Sequence, residues 1–194
     1  MRPHPEAYAT VAQLREGTKA GSLVSASAVA HVRDGTTLRW VLLQRDEKAS
    51  IGAGLWQFPA GRCSPDELPS ETAARELAEE VEVREASGTV LCFKPLKVSE
   101  PAWKLELLTS NGTLRHDRCQ WVLCENTLEG ICRFEAQASL DGLQARDLEP
   151  YGRRVELLSA GEILTLLERG QLTTAAAYVT RLASDLGWFE VMAR

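Results

Sequence analysis

Three glutamates in an alanine-rich segment have the spacing of a metal-binding helix face. Glu76, Glu79 and Glu80 stand at positions i, i+3 and i+4, and on a helix they fall within an arc of about 100°. Carboxylate oxygens are the ligands that hard cations such as Mg²⁺ prefer. The alternative is a solvated acidic face. Metal binding requires that the three carboxylates converge, rather than being buried in pairs with basic residues.

The segment before this helix favours the metal site over the solvated face. A short predicted strand at residues 55–58 is stopped by Pro59-Ala60-Gly61, and the first glutamate of the face follows the glycine by fifteen residues. Ser70 is predicted to cap the helix, which we expect to run over residues 71–81. A loop carbonyl can then approach the carboxylates from the side.

The same residues form a longer motif. Gly61 is followed by five residues, Glu67, seven residues and the run Arg75-Glu76-Leu77-Ala78-Glu79-Glu80-Val81-Glu82-Val83. This resembles the Nudix box, G-x5-E-x7-R-E-U-x-E-E-x-G-U, where U is a bulky aliphatic residue. The one fixed letter that differs is Glu82, which stands where the family has a glycine suited to a helix C-terminal turn. The change puts the shape of the helix end in question but removes no ligand.

The resemblance implies an α/β fold, a Nudix-type α/β/α sandwich with a mixed β-sheet. It implies that Mg²⁺ or Mn²⁺ is held by three carboxylates and a loop carbonyl, from Glu76, Glu79, Glu80 and Ala60. Arg75 would orient the carboxylates, Glu67 would brace Arg75, and Gly61 would permit a tight loop. Glu76, Glu79 and Arg75 would thus all belong to the catalytic machinery.

The implied reaction is hydrolysis of the diphosphate of a nucleoside diphosphate linked to another moiety. Pro59-Ala60-Gly61 resembles the ADP-ribose and sugar-nucleotide branch of the family more than the Pro-Gly-Gly of its nucleoside-triphosphate branch, which makes ADP-ribose or a nucleoside diphosphate sugar the leading expectation. (d)NTPs, dinucleoside polyphosphates, NADH and coenzyme A are the alternatives. A non-catalytic nucleotide-sensing module is a further alternative. The general base is either Glu79 in the motif or an acid outside it, with Glu149, Asp147 and Glu125 as candidates.

Four residues outside the motif have two possible roles each. Arg45 ends a predicted strand, where it could bind a substrate phosphate or lie in solvent. Trp56 and Phe58 could stack on a base, although core packing is the favoured alternative. For His116, a surface turn is favoured over catalysis.

Composition sets the broader class. The chain has 194 residues, a formal net charge of −5 and a pI near 5.3, which favours a small-molecule nucleotide substrate over nucleic acid. We expect an N-terminal extension over residues 1–20 and one domain over residues 21–194. The lack of a signal peptide or membrane span predicts a cytoplasmic protein that does not bind membranes. Five cysteines without a C-x-x-C pair favour reduced thiols over a disulfide framework.

The remaining elements follow from local pattern. Two apolar runs at residues 23–31 and 37–43, separated by Asp34-Gly35, predict a hairpin. Further strands are predicted at residues 89–93, 103–108, 119–123, 131–137 and 155–158. Helices are predicted at residues 160–169 and 174–186. An apolar stripe of Ile163, Leu166 and Leu167 either packs on the chain's own sheet or forms a homodimer interface.

Overall fold

The structure is a computed structural model that describes residues 23–50, 52–96, 113–115, 119–124, 127–151, 153–185 and 187–189. The expected N-terminal extension, the strand predicted at residues 103–108, His116 and Glu125 lie outside these residues.

A hairpin forms the centre of the sheet, as the sequence predicts. Strand β1 (Leu23–Asp34) pairs antiparallel with β2 (Thr37–Gln44). Gly35 in the connecting turn has a φ of 54°, which a residue without a Cβ adopts at low cost. Strand β1 also pairs in parallel with β9 (Thr127–Gln137), in register from Leu23 opposite Thr127 to Arg33 opposite Gln137.

Short strands extend this sheet and make it mixed. These strands are β3 Trp56–Gln57, β4 Ala60–Arg62, β5 Val81–Arg84, β6 Lys94–Pro95, β7 Thr113–Arg115, β8 Cys119–Cys124, β10 Gln144–Asp147 and β11 Val155–Leu158. The strand order of the sheet is β11-β2-β1-β9-β8-β7, with β3 on β2, β4 on β1 and β6 on β9, while β5 and β10 form a separate pair. Residues 89–93 are not a strand, so that prediction is wrong. Pairing across the sheet, rather than local propensity, defines several of these pieces.

Helices cover both faces of the sheet. Helix α1 (Pro69–Glu80) packs on one face, where Ala73 and Leu77 join a buried cluster with alternate residues of β1. Helices α2 (Ala160–Glu168) and α3 (Thr174–Asp185) cover the other face, where Ile163 and Val179 are buried with Ile131. Two helical layers around a mixed sheet confirm the predicted α/β/α sandwich.

Helix α1 starts earlier than predicted. Its N-cap is Leu68, and Pro69 occupies the first helical position, so the assignment of Ser70 as the cap is wrong. Proline suits that position because its φ is already helical and its missing N–H is not needed. The Glu71 carboxylate accepts a 2.8 Å hydrogen bond from the Leu68 N–H and closes the helix start.

The end of α1 explains the glutamate in place of the box glycine. Val81 is already extended, with φ −134° and ψ 136°, and the chain passes directly into β5. Glu82 pairs opposite Arg146 in β10, and its carboxylate binds Arg84 and Arg146 at 2.5 and 2.6 Å. Because this helix does not end in a left-handed turn, a side chain is tolerated here.

The structure also bears on the apolar stripe of α2, on the cysteines and on membrane-spanning helices. Ile163 is buried and Leu166 and Leu167 pack against the same core cluster, so the stripe packs on its own fold; the homodimer stays a prediction. Cys132 is disulfide-bonded, whereas Cys63 and Cys92 form no disulfide, so the expectation of reduced thiols throughout is wrong. Among the described helices, none is long and apolar enough to cross a membrane.

Candidate active site

Gly61 makes room for the first glutamate of the helix face. It lies in β4, opposite Ala26 of β1, and its φ is not positive, so the tight loop predicted at this position is wrong. A Cβ built at Gly61 would lie 2.1 Å from both Cδ and Oε1 of Glu76. Glycine is therefore required by the close approach of a side chain, not by backbone conformation.

Glu80 is buried at the same place. It is the last residue of α1 and is 5% exposed, and its Oε2 accepts a 3.0 Å hydrogen bond from the Ala60 N–H. Oε1 accepts a 2.7 Å hydrogen bond from Arg153. Burial raises the pKa of Glu80, and the Arg153 guanidinium opposes this rise. Glu76 and Glu80 thus meet at adjacent residues of β4.

Arg75 links the carboxylates of the motif. Its guanidinium binds both oxygens of Glu67, at 2.8 and 3.1 Å, and donates from Nη1 to Glu76 at 2.6 Å and Glu79 at 3.0 Å. The hydrogen bonds from Arg75 lower the pKa of Glu67 to about 2, so Glu67 is a fixed anion. These contacts let Glu67 hold Arg75 while Arg75 orients the other two.

Arg153, in the loop after β10, binds Glu80 at the C-terminal end of α1. Arg153 binds Glu80, Asp147 at 2.8 Å and Glu149 at 2.9 Å. Burial raises the pKa of Asp147, but hydrogen bonds from Arg153 outweigh this and the pKa is lowered. The Leu148 N–H donates to the Glu80 carbonyl at 3.0 Å and docks the loop. The sequence analysis did not find Arg153, because the partners lie 73 positions apart and in no common motif.

A cavity of about 410 Å³ opens beside this arginine. Arg45, Lys48, Glu149, Tyr151 and Arg153 line it. The cavity therefore brings together two residues that the sequence marked separately, Arg45 and Glu149. Asp46 also lines it, so three cations and two carboxylates are present, groups that can bind phosphates and hydroxyls.

Trp56 and Phe58 lie away from this cavity. Their exposures are 7% and 1%, and both belong to the core cluster under α2 and α3. The Arg154 guanidinium lies 5.7 Å from the Trp56 ring centroid. The core-packing alternative thus describes both rings, while Trp56 also lines a separate cavity beside α2, and the assignment of the two rings to substrate stacking stays a prediction.

The carboxylates suit a hard divalent metal, although arginines hold them in this structure. All the candidate donors are oxygens, which Mg²⁺ and Mn²⁺ prefer, and Glu76 and Glu80 meet at the β4 backbone. Within the described residues, no three acidic, histidine or cysteine side chains converge as a ready-made metal site. Arg75 pairs with Glu76 and Glu79, and Arg153 pairs with the buried Glu80, so the requirement of the sequence analysis that the three carboxylates converge without basic partners is not met in this structure.

The family model for the NUDIX domain matches residues 23–131, more than half of the chain. The chain belongs to the NUDIX family. It is a Nudix pyrophosphohydrolase, which confirms the family and the enzyme class that the motif predicted.

Solved structures share the Nudix fold at low sequence identity. One is a bifunctional NMN adenylyltransferase/ADP ribose pyrophosphatase from Francisella tularensis, complexed with AMP and a manganese ion, with a TM-score of 0.53 and 17% identity. The match covers 90% of this chain and 44% of that one. A NUDIX hydrolase from Nitrosomonas europaea matches with a TM-score of 0.50 and 15% identity, over 87% and 73% of the two chains. No curated protein matches the sequence.

Proposed function

We propose that this Nudix hydrolase cleaves the diphosphate bond of a nucleoside diphosphate linked to another moiety, with ADP-ribose or a nucleoside diphosphate sugar as the first choice. One observation supports this above the others. Arg153 binds Glu80 of the motif and also lines the cavity that holds Arg45 and Lys48. A diphosphate in this cavity would lie beside the candidate metal ligands.

Charge makes the cavity suited to such a substrate. The chain carries a formal charge of −5, so phosphates are attracted only where cations gather locally. Arg45, Lys48 and Arg153 supply three against the two carboxylates of Asp46 and Glu149, and arginine matches two phosphate oxygens at once. Tyr151 is 64% exposed at the cavity, which makes it a better stacking partner for a base than the buried rings.

The motif would hold the metal and position the water. Glu76, Glu79 and Glu80 would bind Mg²⁺ or Mn²⁺, with the Ala60 carbonyl as a further ligand. When bound, such an ion neutralises the diphosphate and lowers the pKa of a bound water. Arg75, held by Glu67, keeps Glu76 and Glu79 in place.

The general base is assigned to a carboxylate that faces the cavity. Glu149 lines it with a side chain that is 37% exposed, whereas Asp147 is 3% exposed and binds Arg153 through both oxygens. We propose that Glu149 accepts the proton of the attacking water. Glu79, which is exposed but bound to Arg75, is the alternative base.

The F. tularensis protein supports the choice of ligand and metal. Its name includes ADP ribose pyrophosphatase, and it binds AMP and manganese. The alternatives are (d)NTPs, dinucleoside polyphosphates, NADH and coenzyme A. A non-catalytic sensing module is less well supported, because every carboxylate of the Nudix box is present.

A substrate panel tests the proposal. The purified chain is incubated with each class of compound and Mg²⁺ or Mn²⁺ in ¹⁸O-labelled water, and the products are identified by mass. For ADP-ribose, we expect AMP and ribose 5-phosphate, one of which carries the label. Faster hydrolysis of a triphosphate would refute the substrate class. Binding of nucleotides with no product from any compound would favour the sensing module.

A further inference from the structure

Arg153 is the cation most closely tied to the proposed metal site. Its side chain is 10% exposed, and Nη1 donates to Glu80 at 2.7 Å. The rest of the guanidinium faces the loop, since Nη2 binds Asp147 at 2.8 Å and Glu149 at 2.9 Å, while Nε donates to Asp147 at 3.2 Å. Nη1 therefore binds the helix residue Glu80, whereas Nη2 and Nε bind residues of the loop.

We propose that Arg153 is an exchangeable counter-cation, which holds Glu80 in the metal-free protein and is released from it when a divalent metal binds. The freed Nη1 then turns to the diphosphate in the adjoining cavity. The second step rests on the proposed function, whereas the first concerns metal binding alone.

A metal and Arg153 compete for Glu80. The side chain is buried, Oε2 accepts from the Ala60 N–H, and Oε1 accepts from Arg153. Each oxygen has a second lone pair, but a divalent ion at Oε1 would lie close to the guanidinium, and the repulsion between the two cations favours release of Nη1. Arg153 thus costs the site part of its affinity for metal.

The bonds to Asp147 can keep Arg153 on the loop when it leaves Glu80. They come from Nε and Nη2. Because the guanidinium is a rigid plane, Nη1 leaves Glu80 when the whole group tilts about these two bonds. The residue already lines the cavity with Arg45 and Lys48. A phosphate oxygen there is a partner of the same charge type as the carboxylate it leaves.

Titration with Mn²⁺ alone tests the exchange. Calorimetry without nucleotide compares the full-length protein with Arg153→Gln, Arg153→Lys and the matched control Arg154→Gln. The Arg154→Gln substitution removes the same charge from the next position. Unlike Arg153, Arg154 is 65% exposed and binds Glu156 rather than Glu80. We expect Arg153→Gln to bind Mn²⁺ about tenfold more tightly, and Arg154→Gln to match the wild type.

Arg153→Lys provides a second measurement in case Arg153→Gln does not fold. Lysine keeps the charge but loses the fork that spans Glu80 and Asp147, so we expect Mn²⁺ affinity to rise about threefold. Unchanged or weaker binding in the folded variants, or no binding by any of them, would overturn the exchange. Circular dichroism identifies the folded variants.

A second readout separates the exchange from the proposed function. With the substrate identified by the panel, Arg153→Gln should raise KM even where Mn²⁺ saturates the enzyme, whereas Arg154→Gln should not. If the panel yields no substrate, the Mn²⁺ titration still decides the exchange. If hydrolysis is found but Arg153→Gln leaves KM unchanged, the second step of the exchange is wrong.

Discussion

Replacing Gly61 with alanine should disable the active site while leaving the protein folded. The added Cβ would lie 2.1 Å from Cδ and Oε1 of Glu76 and 2.6 Å from Oε2. The first separation is about 1.4 Å short of an ordinary contact of about 3.5 Å. Because the overlapping atoms are the end of a flexible side chain, Glu76 can swing away and the backbone need not shift.

The loss of activity follows from the size of this displacement. A carboxylate moved by more than about 1 Å loses its 2.6 Å bond to Arg75 and its position as a metal ligand. Misplacement of this size costs about a hundredfold in rate, or about 2.7 kcal/mol of transition-state stabilisation. We therefore expect kcat/KM to fall by about that factor, with a thermal midpoint close to that of the wild type.

Steady-state kinetics with Mg²⁺ and thermal denaturation measure the two effects. Gly161→Ala is the matched control, since a Cβ at this helical glycine meets nothing within 4 Å beyond its own helix. It should keep full activity. A double-mutant cycle with Glu76→Ala locates the effect, because Gly61→Ala should add no further loss once Glu76 is removed. Wild-type kcat/KM in Gly61→Ala would refute the reasoning.

Two further predictions concern residues outside the metal site. Glu82→Gly restores the glycine of the box. It should lower the thermal midpoint and leave kcat/KM unchanged, because Glu82 lies in β5 and binds Arg84 and Arg146. A rise in the midpoint, measured by calorimetry, would contradict this. Glu129 is buried against the hydroxyls of Ser25 and Ser27, and burial raises its pKa. A raised pKa means that its contribution to stability is present below the pKa of an unfolded glutamate and is lost as the pH rises through the folded value. Urea denaturation from pH 5 to 9 should therefore show the stability of Glu129→Gln rising relative to the wild type with pH, and parallel profiles would count against the assignment.

The catalytic motif could be predicted because its information is local. Glu76, Glu79 and Glu80 share a helix face by their spacing alone, and Glu67 and Arg75 stand within the same short segment. The long strands β1, β2 and β9 were also predictable, since apolar and β-branched residues mark them. In each case, neighbouring residues carry the signal.

The rest of the site depends on contacts that no local pattern encodes. Strand β4 has three residues, Ala60–Arg62, too few for an alternating pattern, and it exists because β1 pairs with it. The helix start shifted because Pro69 outweighed the capping preference of Ser70. Arg153 reaches Glu80 across 73 positions, so only the folded chain brings them together.

The most direct test of the metal-carboxylate account is turnover by Glu80→Gln. Glutamine keeps the shape of the side chain and can still accept from the Ala60 N–H, but it removes the charge that a metal requires. With the substrate that the panel identifies, saturating Mg²⁺ and a fold matched by circular dichroism, we expect kcat to fall by at least about a hundredfold. A rate near that of the wild type would contradict the assignment of Glu80 as a ligand.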